Sequence, residues 1–146
     1  ADIAEAIAAK AKQMGHTPRI AMLSFSNFGN PESLISAEAR RAITILDDRN
    51  PEFEYDGEMT ADVALDYQLM QQRYPFCRLS GPANILIMPG LHSANITFKL
   101  MQKLAEGSVI GPMMLGGEKP FQIVQMGASV NDIVQAASLA AYEALR

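Results

Sequence analysis

The sequence predicts an α/β fold in three layers, a mainly parallel sheet with helices on both faces. Two observations carry that expectation. Short apolar runs, Ile20-Ala21-Met22-Leu23 and Asn84-Ile85-Leu86-Ile87-Met88, alternate with amphipathic stretches of ten or more residues. A helix of that length between two strands makes a right-handed crossover to a parallel neighbour. The chain is also long enough: 146 residues, 49% hydrophobic and 19% charged, can bury a core as a single domain over 1–146. Ten glycines and eight prolines are too few for a linker or low-complexity protein.

Ile3, Ile7, Ala11 and Met14 share one face of a helix over residues 2–14, stopped at Gly15. The run 20–23 is a strand that delivers the loop Ser24-Phe25-Ser26-Asn27-Phe28-Gly29. Asn30-Pro31-Glu32 reads as N-cap, first helical residue and dipole-matching acid of a helix to about Asp48, ended by Asn50-Pro51. Residues 53–55 enter a second strand with Asp56-Gly57-Glu58 as its polar exit, and Val63, Leu65, Leu69 and Met70 mark a helix over 60–74. The run 84–88 is the clearest buried strand; the loop Pro89-Gly90-Leu91-His92-Ser93 follows it, then a helix through Glu106. Residues 107–124 read as strands broken by Gly111-Pro112 and Gly116-Gly117, and 130–145 as a closing helix.

Charge and cysteine content narrow the function classes. Twelve basic and sixteen acidic residues give a net charge of −4, with no basic block longer than Arg40-Arg41, so nucleic acid is not an expected partner. Cys77 is the one cysteine and cannot form an internal disulfide, which fits a reducing, cytoplasmic setting. No apolar run approaches the roughly 18 to 20 residues that cross a bilayer, so no membrane association is expected. The opening Ala1-Asp2-Ile3-Ala4-Glu5 is acidic where a signal peptide is basic and lacks an initiator Met, which reads as part of a longer protein.

Few motifs carry chemistry on their own. The glycine-rich run from Gly111 to Lys119 places Gly117 and Glu118 where a phosphate loop needs Lys and Ser or Thr. His16, His92 and Cys77 lack metal-ligand spacing, and no G-x-S-x-G occurs. His92, in a loop after a strand, stands where α/β proteins gather ligands, although a surface histidine is the plainer reading. Asp56, Glu58 and Asp62 form a carboxylate cluster that could act as bases or bind a cation; equally, Thr60 and Asp62 could serve the start of the next helix. Ser129 and Asp132 have capping-box spacing, a structural role for Asp132.

Collectively the segments resemble a family. Ser24-Phe25-Ser26 with Gly29, Asp56-Gly57-Glu58 with Asp62 and Ala64, Asn95-Ile96 with Lys99, Gly111-Pro112 with Gly116, and Lys119-Pro120 fall in the order of the C-terminal half of phosphate acetyltransferases. The resemblance covers about residues 17–140. It implies the phosphate acetyltransferase or isocitrate dehydrogenase-like fold, of which this chain would be the second subdomain. The Ser24-Phe25-Ser26-Asn27-Phe28-Gly29 loop and Met88-Pro89 resemble more closely the transferase-like domain at the C-terminus of large bacterial NADP-dependent malic enzymes.

The departures bear on activity. Gln125 stands where active transferases carry a serine and Met126 where they carry an arginine, while Asp132 keeps the family's aspartate. A thioether cannot supply the charge-assisted bonds of a guanidinium, so acetyl transfer is not expected and no catalytic residue is assigned. What the resemblance implies is a regulatory and oligomerising domain that binds acetyl-coenzyme A. Ser26, Asn27, Asn95, Lys99, Lys103 and Lys119 are its ligand-binding candidates. The parent chain would hold NADP and Mg or Mn for oxidative decarboxylation of malate to pyruvate, and this domain would hold no metal. The alternatives are a fragment of an active phosphate acetyltransferase and a ligand-free assembly domain.

Overall fold

The computed structural model describes residues 1–106 and 109–145. In order, the elements are α1 (Asp2–Gln13), β1 (Arg19–Leu23), α2 (Leu34–Arg49), β2 (Glu54–Met59), α3 (Ala61–Leu65), α4 (Tyr67–Arg73), β3 (Ile85–Ile87), α5 (Leu91–Leu104) and α6 (Val130–Ala144). The chain divides into two compact units, Ala1–Asn95 and the residues from Ile96 onward.

In the first unit the strands are all parallel, in the order β2-β1-β3. The two-residue alternation of β1 builds the two faces. Ile20 and Met22 pack with Ala4 and Ala8 of α1 and Ile43 and Leu46 of α2, and the side chains Tyr55, Ile85 and Ile87 of the flanking strands close this cluster. Ala21 and Leu23 face the other way, against Met59, Val63 and Ala64, Met70 of α4, and Cys77, Leu79 and Ala83 from the following loop. The expected three layers are therefore present. Burying Leu46 completely contributes about 2 kcal/mol.

Several boundaries differ from the sequence reading. The cap of α2 is Ser33, whose hydroxyl accepts from the Ile35 N–H at 3.2 Å, not Asn30. The N–H and C=O of Asn30 are both engaged with Asn27, at 3.0 and 2.9 Å, which holds residues 27–30 in a closed loop and delays the helix. At its other end α2 stops as expected, with Asn50 in the left-handed region at φ 45. The span expected as one helix, 60–74, is two. Asp66 leaves helical geometry (φ −103, ψ 98) and caps α4 by accepting from the Leu69 N–H at 3.0 Å.

Asp56-Gly57-Glu58 is not a strand exit, because β2 continues to Met59. The pairing passes from Met22↔Gly57 to Leu23↔Met59, so Glu58 is an extra residue, a bulge at the end of the ladder. Only glycine fits before it: at φ +143, a Cβ on Gly57 would lie 2.7 Å from the Met22 carbonyl oxygen. The strand read as the clearest buried one, β3, has three half-buried residues at the sheet edge. Since α5 begins at Leu91, His92 sits in a first helical turn and not in a loop.

The second unit contains the rest of α5, an irregular segment and α6. Strands were expected over 107–124; residues 107 and 108 lie outside the described residues, and no strand occurs over 109–124. Gly111 (φ 136) and Gly116 (φ 85) turn the backbone, and Pro112 offers no N–H to a ladder. The closing helix α6 starts with the expected reciprocal cap between Ser129 and Asp132. Among the described residues no helix is long and apolar enough to cross a membrane.

Candidate functional site

The loop after β1 is organised around Glu58. This carboxylate is fully buried, and its Oε1 accepts from Ser26 Oγ at 2.8 Å, the Gly29 N–H at 2.8 Å and Arg40 Nη1 at 3.0 Å. Burial pushes its pKa up, but the Gly29 and Ser26 donors and the Arg40 charge outweigh it and hold Glu58 below the usual carboxylate range. Its Oε2 is buried without a hydrogen-bond partner among the described residues. The Asn27 side-chain oxygen accepts from the N–H and hydroxyl of Thr60, at 2.9 and 3.1 Å. Ser26 and Asn27, two of the ligand-binding candidates, thus have their side chains engaged in latching this loop to the end of β2.

The carboxylate cluster read from the sequence is dispersed. Asp56 is buried and accepts from the Gly57 N–H and, at 2.7 Å, the Arg78 N–H, with the Arg78 guanidinium also alongside. Arg78 in turn reaches Asp47 at 2.6 Å and lies 4.8 Å over the Tyr55 ring. Asp62 is exposed, its pKa lowered by the Thr60 hydroxyl. Three carboxylates close in sequence therefore serve three local networks. Among the described residues no group of three or more His, Cys, Asp or Glu could hold a metal ion.

The second unit presents an open cleft of about 500 Å³, between the C-terminal half of α5, the segments around 109–113 and 122–128, and one face of α6. It brings together Lys99, Lys103, Gln125 and Asp132. Lys99 and Lys103 stand one turn apart on α5, so they share a face. Lys99 Nζ donates to Gln125 Oε1 at 2.8 Å and to Gln102 Oε1 at 3.4 Å. Asp132 is the one carboxylate among the described residues of the lining, and two ammonium groups against it make that lining cationic. Its Oδ2 accepts from both the N–H and hydroxyl of Ser129 at 2.8 Å, and these bonds lower its pKa, which makes it a weaker base at neutral pH. Met126 is fully exposed and outside the lining. Asn95, the last residue of the first unit, and Lys119 are exposed, and neither lines this cleft.

The sequence reading did not single out Arg40 as a partner of Glu58, or Gln122, which bridges the Met114 N–H and Glu143 at 3.1 Å each. In the sequence Arg40 stands out only as half of the basic pair Arg40-Arg41. Its one usable signal was its place on α2, an element that packs on β2.

Residues 1–141 match the profile of the phosphate acetyl/butaryl transferase family, and the chain belongs to that family. Its relatives include malic enzymes and phosphate acetyltransferases. It is 53% identical over 144 residues to the NADP-dependent malic enzyme of Rhizobium meliloti (strain 1021), an alignment covering 99% of this chain and 19% of that protein. It is 33% identical over 147 residues to the phosphate acetyltransferase of Clostridium acetobutylicum, covering 100% of this chain and 44% of that protein. Among solved structures, a phosphotransacetylase from Streptococcus pyogenes superposes with a TM-score of 0.90 at 34% identity, over 99% of this chain and 44% of the other. The expected fold is thereby borne out. The chain spans about a fifth of the malic enzyme and less than half of the transferases.

Proposed function

We propose that the chain is the phosphotransacetylase-like domain of an NADP-dependent malic enzyme, which binds acetyl-coenzyme A without transferring its acetyl group and relays that binding to a distant malate site. The observation that supports this most directly is the Lys99–Gln125 hydrogen bond in the lining of the cleft. An amide stands where the family's serine is expected, it is engaged by a lysine, and among the described residues no guanidinium joins the lining. A coenzyme carrying phosphates would find cations in Lys99 and Lys103, and its pantetheine arm apolar walls in Val109, Ile110 and Leu139. In this reading NADP and Mg or Mn belong to the parent chain's catalytic region.

The test uses the full-length parent. Coenzyme A-dependent formation of acetyl phosphate should not exceed a no-enzyme control; formation above it would favour the active-transferase reading. The ratio of malate turnover with and without acetyl-coenzyme A should collapse toward one in the Lys99→Ala/Lys103→Ala double variant. Losing one charged hydrogen bond weakens binding about tenfold or more. A double variant that keeps the parent's effector response would remove the cleft from the proposal.

Homo-oligomerisation through this domain forms part of the same reading. Among its described residues the second unit buries none, and Leu104, Met126, Val130 and Leu145 are each more than three-quarters exposed. These are apolar side chains that a second copy would cover on association. A C2 dimer is expected for the parent, and sedimentation equilibrium at micromolar concentration showing monomers alone would contradict it.

A further inference from the structure

We propose that Lys99 is a self-acylation site, at which an acyl thioester held in the cleft transfers its acyl group to the lysine amine. The inference rests on the reading that the cleft takes acetyl-coenzyme A, and adds a covalent outcome to it. Three features of the cleft point to it.

Among the described residues the lining contains no hydroxyl, thiol or imidazole, so the amines of Lys99 and Lys103 are the strong nucleophiles that a bound thioester meets there. Of the two, Lys99 is the one held in place: Gln125 Oε1 at 2.8 Å and Gln102 Oε1 at 3.4 Å orient its Nζ. Both partners are neutral amides, and among the described residues no carboxylate holds it as an ion pair. Because Lys99 occupies Gln125 Oε1, the Gln125 Nε2, without a hydrogen bond among the described residues, sits beside the nucleophile as a donor. A donor in that place stabilises the oxygen of a carbonyl as an amine adds to it.

The step balances without a further reactant. The Lys99 ammonium loses a proton to solvent, and the nitrogen lone pair adds to the thioester carbonyl carbon. The C–S bond then breaks, coenzyme A leaves as thiolate, and the second proton shed by nitrogen protonates that sulfur. The products are an amide on Lys99, free coenzyme A and one released proton, with nothing oxidised or reduced. Acylation removes one of the two positive charges of the cleft, so the modified domain should hold a phosphate-bearing ligand less tightly.

The experiment follows the full-length parent incubated with acetyl-coenzyme A, by peptide mass spectrometry over time. In parallel, equilibrium binding is measured with a thioether analogue that cannot transfer its acyl group. Lys99 should be acetylated at a rate that saturates with acetyl-coenzyme A and exceeds that of exposed Lys119 by about tenfold or more, the advantage of a bound over a collisional reactant. The analogue should compete. Lys103→Arg should still acquire the modification at Lys99, whereas Lys99→Arg, which keeps a positive charge, should bind the analogue without becoming acylated in the cleft. Acetylation of Lys99 that rises linearly with concentration and no faster than that of Lys119 overturns the inference. If the analogue binds and Lys99 stays unmodified, self-acylation fails and the binding reading stands. If the analogue does not bind, both fail. Saturable acylation of Lys99 without any response of malate turnover supports the inference and removes the regulatory part of the proposed function.

Discussion

Replacing Glu58 with Ala tests whether this buried carboxylate holds the loop after β1. The substitution removes the acceptor of three donors. Arg40, whose side chain is 33% exposed, can turn to water, so its contribution is discounted toward that of a screened pair, about 1 kcal/mol. Ser26 is fully buried and the Gly29 N–H partly so; an orphaned buried donor costs about 1 to 3 kcal/mol. Removing a carboxylate whose Oε2 has no hydrogen-bond partner among the described residues returns part of this. The net local loss is about 3 kcal/mol, or about a hundredfold in the opening equilibrium.

Hydrogen exchange on the full-length protein reads this loss where it should occur. The Phe28 N–H donates to the Glu58 carbonyl at 2.7 Å and the Gly29 N–H to its carboxylate at 2.8 Å, so peptides spanning residues 24–30 should exchange about a hundredfold faster. Glu58→Gln retains an acceptor at Oε1 but loses charge assistance and should cost about half as much. Because the Glu58 pKa is lowered, its contribution is present above the ordinary carboxylate range. It disappears as pH falls through the depressed folded value, so the protection of residues 24–30 should fall in acid more steeply in the parent than in the Gln variant. Exchange in the Ala variant within about twofold of the parent, or equal effects of Ala and Gln, would refute the reasoning.

Gly57→Ala places a methyl 2.7 Å from the Met22 carbonyl oxygen at φ +143, and the combined strain and overpacking should cost about 2 to 6 kcal/mol. Amides of β1 and β2 should lose protection, and unchanged exchange there would show that the strands can separate freely. Cys77 is buried and burial pushes its thiol up to about 11, so iodoacetamide at pH 8 should label it far more slowly in the native protein than in urea. Its folded pKa lies above the unfolded one, so its contribution is full below the unfolded value and is lost as pH rises through the interval up to about 11.

The sequence by itself determined the alternation of elements, the end of α2 at Asn50 and the cap of α6, because each is set by residues within a few positions of one another. The family was legible for a related reason: its short motifs keep their order, and order survives without contacts. Gln125 and Met126 could be read as departures on the same ground. The end of β2 was not legible. Acidic residues signal a strand exit unless distant donors satisfy them, and Arg40, Ser26 and Gly29 are supplied to Glu58 by other elements. The cap of α2 was missed because Asn30 pairs with Asn27, and the helix over 60–74 divides because Asp66 serves a new N-terminus in place of an interior turn. Strands were expected over 107–124, but over the described residues 109–124 none forms, because a strand exists only where a neighbour completes its ladder. Of the six ligand candidates, tertiary structure gathered Lys99 and Lys103 with Gln125 and Asp132 and turned Ser26 and Asn27 toward the protein's own backbone and carboxylate. That division depends on which hydrogen-bonding groups meet across elements distant in sequence, a quantity that local pattern does not contain.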